Sequence, residues 1–370
     1  VRRLERDRDS GQNRKAGKRW TVAAWLTHWL ENIAAPAVRD NTISGYRVAV
    51  NRHLIPGVGA HKLTTLEPEH LERLYRRMLK AGSAPATAHQ AHRTIRTALN
   101  EAVRRGHLAG NPASLAKAPR LTEEEVEPYS VDEVRRLLEE AGKRRNSARW
   151  AVALALGLRQ SEALGLKWSD LDLDDGRLTV RRGRLRPRWR HGCGGSCGRK
   201  FGGHCPKRVP DRPVTADTKS RAGRRTIGLP DELVGLLRKH EEEQDAERDL
   251  AAQLWREGGW LFATELGEPL NPRTDYDEWK RLLKAAGLRD GRLHDARHTA
   301  ATVLLLLGVP ERAVMEIMGW SSSSMARRYQ HLTAEIRRDI AKRVGGLLWD
   351  PPKGANRDDD GPDAVPARKK

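Results

Sequence analysis

His294 and Arg297 stand three positions apart near the start of a helical run, so their side chains share one face. A guanidinium offering two parallel N–H donors, beside an imidazole that can take or give a proton, suits a phosphate group. A solvated basic helix face is the other reading of such a pair, and a chain with 69 Lys and Arg offers many such faces. Two further segments carry chemistry-bearing residues. One is Gly157-Leu158-Arg159-Gln160-Ser161-Glu162-Ala163-Leu164. The other is Met318-Gly319-Trp320-Ser321-Ser322, followed by Tyr329-Gln330-His331. A separate group, His191, Cys193, Cys197, His204 and Cys205, falls in a glycine-rich stretch with soft metal-ligand character.

The charge balance names the class of partner. The formal net charge is +20, and residues 1–120 hold 22 basic and 9 acidic residues, so nucleic acid fits better than a membrane. No run approaches the roughly 18 apolar residues of a membrane span, and the start is charged rather than signal-like, so a cytoplasmic, nucleoid-associated protein is expected. Three cysteines in one short stretch do not make a disulfide framework. A first residue of valine leaves truncation open.

The elements that must position these residues follow from periodicity. Val22, Trp25, Leu26, Trp29, Leu30 and Ile33 mark an amphipathic helix that Pro36 should end. Ile43, Tyr46, Val50 and Leu54 mark a second, stopped by Pro56. Leu71, Leu74, Met78 and Leu79 form the third. The fourth runs from Ala88 to Val103 and is closed by Gly106. A helical domain over 20–113 is expected, preceded by a basic arm over 1–19.

A proline-bearing stretch without periodicity, 114–129, reads as a linker. Beyond it, Ser130 and Glu133 have capping-box spacing, and 150–156 is a buried alanine-leucine helix. Strand-like alternation appears at 177–182 and 224–229, around a Cys, Gly and Arg-rich insertion over 183–213. Helices resume after Pro230, with Gly308 and Pro310 marking a stop and a new start. The second domain should span 130–348, with a disordered tail over 349–370. The fold class is mainly α with a small antiparallel β-sheet.

In order along the chain, Arg159, then His294 with Arg297, then the Gly-Trp-Ser-Ser stretch and Tyr329 nine positions after Trp320 resemble the signature of tyrosine recombinases and phage integrases. The likeness covers most of the chain. It implies a helical core-binding domain and a mixed α/β catalytic domain. The implied activity is site-specific recombination of double-stranded DNA attachment sites, which integrates or excises a mobile element through a 3′-phosphotyrosyl link. It also implies four protomers in the synapse, with accessory excision or DNA-bending factors, and catalysis without a cofactor. Residues 218–227 resemble the family's β-hairpin turn, which makes Lys219 the implied lysine at the scissile phosphate; an exposed turn lysine is the alternative.

By the same resemblance Arg159 and Arg297 clamp the phosphate and Tyr329 is the nucleophile. His294 and Lys219 move protons. Many relatives have histidine where this chain has Trp320, and some have tryptophan. An indole donates a hydrogen bond but cannot shuttle protons, so Trp320 is read as a donor and packing element. Glu162 is expected to orient Arg159 or to be an ordinary surface carboxylate. Arg93, Arg96, Arg104 and Arg105 could contact the DNA backbone or line a solvated face.

For the insertion, Cys193, Cys197, Cys205 and His204 are the expected ligands of a structural zinc ion, with free thiols in a disordered loop as the alternative. Three other functions compete. A type IB topoisomerase shares the tyrosine, arginine and lysine chemistry, a DNA-binding relative would have lost it, and a zinc nuclease would need a carboxylate near the cysteines.

Overall fold

A computed structural model of the chain describes residues 20–121, 127–218 and 221–323. The chain divides into two units, Val1–Glu125 and Val126–Lys370. The expected N-terminal arm, the end of the second domain beyond residue 323 and the tail lie outside the described residues.

The first unit is helical. Helix α1 begins at Val22–His28 and passes through a π turn, Trp29–Ala34, into the short turn Ala35–Ala37. Helix α2, Asp40–Ala49, does the same through Val50–Leu54 and Ile55–Val58. Helices α3 (Pro68–Lys80) and α4 (Pro85–Arg104) follow, and a short helical turn, Pro112–Leu115, comes after them. Trp25, Leu26, Leu54, Leu71, Ile95 and Leu99 are fully buried in one core, each worth roughly 1.5–3 kcal/mol of burial. The Trp25 indole donates to the Ala98 carbonyl at 2.9 Å, which fixes α1 against α4.

Pro36 and Pro56 lie in the last turns of their helices, which end just beyond them at Ala37 and Val58, as the sequence suggests. Proline lacks an N–H and crowds the carbonyl four residues back. A π turn precedes each one, with the Ala35 and Ile55 amides donating to Leu30 and Val50 five residues back. The wider coil accommodates the ring.

The boundary between units is tighter than 114–129. Ala116 is buried in the first core and Tyr129 in the second, where the Tyr129 amide donates to Thr299 Oγ1 at 2.9 Å. Periodicity misses such short packed flanks because they make less than two turns.

The second unit starts at α5 (Val131–Gly142), held by the Ser130–Glu133 capping box. Helix α6 (Ser147–Leu156) is buried on nearly every side. After it come α7 (Gln160–Ala163), seven short strands, α8 (Asp231–Ala251), α9 (Pro272–Ala285), α10 (Leu293–Leu306) and α11 (Glu311–Met318). Strands β1 (Leu171–Asp172), β2 (Arg177–Val180) and β7 (Arg225–Gly228) form an antiparallel sheet in that order, with Leu178 opposite Ile227. The pairing continues outward as a ribbon. β3 (Arg182–Arg184) pairs with β6 (Thr215–Asp217), and β4 (Trp189–His191) with β5 (Arg208–Pro210). No helix among the described residues is long and apolar enough to cross a membrane.

A buried ion pair locks α6 to α9. Arg149 Nε and Nη2 donate to the two carboxylate oxygens of Asp275 at 3.0 and 3.1 Å, and both side chains are 1% exposed. Gln160 Nε2 adds a bond to the same carboxylate at 2.8 Å, which ties α7 into the pair. Removing one partner leaves a buried charge uncompensated, so Asp275→Ala should cost about 3–5 kcal/mol. Urea unfolding of the full chain followed by Trp fluorescence measures it, and a loss below about 1 kcal/mol would show that the pair is not buried as described.

Candidate active site

Two left-handed glycines bring the sequence segments together. Gly157 (φ +59°) ends α6 and turns the chain so that Arg159 caps the N-terminus of α7. A Cβ there would lie 2.8 Å from Met318 Cε and 3.0 Å from Ala300 Cβ, so only glycine permits this contact with α10 and α11. Gly319 (φ +62°) ends α11, where a Cβ would meet Arg225 Nη1 at 2.8 Å.

Arg297, on α10, is 2% exposed. Its Nη1 donates to the Gly157 carbonyl at 2.6 Å and its Nη2 to the Met318 carbonyl, so one guanidinium joins the Arg159 segment to the Trp320 segment. Trp320 is buried with Ala301, Val314 and Met318, its ring centroid 5.8 Å from the Arg297 guanidinium carbon. The structure therefore gives the indole its packing role directly.

Glu162 is a buried carboxylate shared by two guanidiniums. It accepts from the Arg159 amide at 3.0 Å, from Arg159 Nη1 at 2.5 Å and from Arg225 Nη2 at 3.1 Å. Burial alone would raise its pKa, but Arg225 and Arg159 outweigh that and hold the carboxyl below its usual range. Arg225 also donates to the carbonyls of Ile317 at 2.7 Å and Gly223 at 3.1 Å. Arg159 Nη2 reaches the Gly319 carbonyl at 3.4 Å, and its side chain remains 37% exposed. Of these guanidiniums it is the one that solvent, or a ligand, can approach.

His294 lies at the first turn of α10, its surface open to solvent on one side. Desolvation on the other, then the nearby His298, Arg297 and Arg159, lower its pKa from the ordinary 6.5 to about 4. The imidazole is therefore neutral near pH 7 and able to accept a proton. His298 packs edge-on against it with centroids 4.9 Å apart.

Arg159, Glu162, His294, Arg297 and Trp320 are thus gathered in one region. Lys219 and Tyr329 lie outside the described residues. The segment compared with a hairpin turn differs in place. Its described part, with a 3-10 turn at Arg221–Gly223, links β6 to β7 on one side of the ribbon, and the ribbon's end lies at the cysteine insertion instead. In the first unit Arg93 and Arg96 are exposed on α4 with no ion pair among the described residues. Arg104 and Arg105 both pair with Glu101, Arg105 at 2.6 Å.

Two site residues escaped sequence reasoning. Arg225 belongs to a basic run, yet strand alternation buries it with Ile227 and exposes Arg224. That phase was the available signal. His298 is four residues from His294, the spacing that places both on one helix face. At the insertion, His191 replaces His204 as the histidine beside the cysteines. The donor atoms of His191, Cys193, Cys197 and Cys205 lie within 4.8 Å of one another, whereas His204 packs on Phe201.

Residues 129–335 match the Phage integrase family, and residues 21–79 match the phage integrase N-terminal SAM-like domain. An integrase of Saccharopolyspora erythraea is 48% identical over 381 residues, spanning 94% of this chain and 87% of that protein. A XerC-like tyrosine recombinase of Caldanaerobacter subterraneus is 28% identical, over 88% of this chain and 81% of that one. The fold resembles the Tn1549 transposon integrase solved with a circular intermediate DNA (TM-score 0.67, 20% identity, 88% of this chain and 99% of that one). It also resembles a lambda integrase tetramer bound to a Holliday junction (TM-score 0.60, 19% identity, 84% and 78%). Domain matches over both units, together with nearly full-length identity to an integrase, establish that the chain belongs to the phage integrase family and is a tyrosine site-specific recombinase.

Proposed function

We propose that this recombinase integrates or excises a mobile element by cutting and resealing double-stranded DNA through a phosphotyrosyl link to Tyr329. The observation that carries the reading is the convergence of Arg159, Arg297 and His294 at the Gly157 and Gly319 turns, ten residues before Tyr329.

A phosphodiester repels nucleophiles, and its transition state gathers charge on the nonbridging oxygens. Arg159, held by Glu162 and open to solvent, contacts those oxygens. Arg297 supplies positive charge from below and keeps the two segments in register. Trp320 backs the Arg297 guanidinium and can donate its indole N–H to the phosphate. The Tyr329 oxygen attacks phosphorus, the P–O5′ bond breaks, and the strand's 3′ end is left on the tyrosine. Neutral His294 accepts the phenol proton, and Lys219 gives a proton to the departing 5′-oxygen. The phosphotyrosyl ester conserves the bond for attack by a partner strand's 5′-hydroxyl, so the chemistry needs no external energy source.

Strand exchange between two duplexes calls for four protomers, in keeping with the lambda integrase tetramer on a Holliday junction. Excision or DNA-bending factors would set direction. In the first unit, Arg93 and Arg96 are the stronger candidates for phosphate contact, because the single Glu101 carboxylate offsets one of the two charges of Arg104 and Arg105.

Incubation with a nicked attachment-site duplex tests the cleavage step. The wild type should yield a denaturation-resistant adduct, Tyr329→Phe none, and Arg159→Ala a cleavage rate lower by about 10²–10³. An adduct persisting in Tyr329→Phe would remove the assigned nucleophile.

NMR titration of the DNA-free chain should place His294 near 4, and bound phosphate should raise that value. Because the unfolded chain holds this proton more tightly, His294 contributes stability above pH 6.5 that is lost as pH falls towards 4. A midpoint near the ordinary value would refute the desolvated setting.

For the backbone contacts, Arg93→Ala and Arg96→Ala should each reduce the salt slope of DNA binding by about one, uniformly across sequences. Arg104→Ala should change it less. Equal slopes for all three variants would contradict the division.

A further inference from the structure

The ribbon built by β3–β6 and β4–β5 has no hydrophobic core of its own among the described residues, although the Arg208 guanidinium stacks on the Trp189 ring at 4.6 Å. None of the four hydrophobic clusters contains a described residue between Val180 and Ile227. The charge opposes compaction too, since residues 185–214 hold eight basic residues and one acidic residue. Yet the tip is tightly folded. His191 pairs with Arg208 across the ribbon, and a Cβ at Gly192 would lie 2.1 Å from the Lys207 carbonyl oxygen, so the two strands press together beyond the last pair. Cys205 is 3% exposed although no hydrophobic cluster surrounds it.

The side chains that converge there are all metal ligands. His191 Nδ1 lies 3.3 Å from Cys197 Sγ and 3.9 Å from Cys193 Sγ, and Cys193 Sγ lies 3.4 Å from Cys205 Sγ. Tetrahedral zinc with Zn–S bonds of about 2.3 Å and Zn–N of about 2.0 Å sets S···S near 3.8 Å and S···N near 3.5 Å. The observed separations bracket those edges, and all four donors fall within 4.8 Å. A disulfide needs about 2.05 Å between sulfurs and would leave one thiol and the histidine without a purpose.

We propose that His191 Nδ1 and the thiolates of Cys193, Cys197 and Cys205 bind one zinc ion, which closes the ribbon tip as a structural Cys3His site. Four protein ligands fill the tetrahedron and leave no open position, so the site is structural rather than catalytic. Binding displaces the three thiol protons to solvent, and the site then carries a net charge of −1: two positive charges from zinc, three negative from the thiolates, none from the imidazole. That negative centre offsets repulsion among Arg190, Arg199, Lys200, Lys207 and Arg208, all close to it in sequence. Softness of the donor set selects zinc over magnesium or calcium.

The full chain, purified under reductant and without chelator, should hold about one zinc per chain by mass spectrometric metal analysis. Replacement by Co²⁺ should give the intense visible bands of a tetrahedral, thiolate-bound ion. That readout uses the wild type and does not depend on a variant folding. Cys197→Ser and His191→Ala should each weaken zinc binding more than about 100-fold, while His204→Ala leaves it unchanged. Chelation should speed tryptic cleavage at Arg199 and Lys200 at least about tenfold. Well under one zinc per chain after zinc refilling, an octahedral cobalt spectrum, or equal losses in His204→Ala and His191→Ala would each overturn the proposal.

Discussion

The pairing of one buried carboxylate, Glu162, with two guanidiniums orders the catalytic region. Arg159 is the accessible partner and Arg225 the buried one. A carboxylate taken out of water this far is costly unless its lone pairs are filled, and here both oxygens accept from fixed donors. The arrangement works in both directions. Glu162 stops the buried Arg225 from being an uncompensated charge, and Arg225 carries the anchorage on to the end of α11 through the Ile317 carbonyl. The orientation of Arg159 is therefore tied, through Glu162 and Arg225, to a sheet strand and a helix end.

Arg297 plays the complementary part. By donating to Gly157 and Met318 it joins two turns separated by 160 residues or so of sequence, and Trp320 covers the joint. Positive charge in so dry a place is tolerated because backbone carbonyls accept hydrogen bonds from its N–H groups. The low pKa of His294 belongs to the same electrostatics. Without an anion, desolvation first and the neighbouring His298, Arg297 and Arg159 next keep the imidazole neutral, and a bound phosphate would strengthen it as a base.

Much of this was legible in the sequence, for identifiable reasons. The helices of the first unit followed from apolar spacing, because Trp25, Leu71 and Leu99 sit where a 3.6-residue period puts them. Arg159, His294, Arg297 and Trp320 stood out through their order and their likeness to a family. Arg225 did not, because one arginine among many reveals its burial only once the strand's phase is known. Composition could say that a histidine joins the cysteines but not which one, and His204 was the expected ligand; the pairing of β4 with β5 is what brings His191 to them. The prolines marked the helix ends at Ala37 and Val58, but the π turns at Trp29–Ala34 and Val50–Leu54 before them were not legible, because apolar spacing does not report a local change in hydrogen-bond register.

The ribbon has an evolutionary consequence. Its two strands are already side by side at β3 and β6 before the insertion begins, so the entropy of closing the loop is met at its base. Each doubling of a loop beyond such a base costs only about 0.6 kcal/mol. A lineage can therefore lengthen, shorten or exchange everything beyond Arg184 and Thr215 without disturbing Glu162, Arg225 or the turns they hold. The ribbon beyond β3 and β6 can thus be rebuilt while the turns around Glu162 stay as they are.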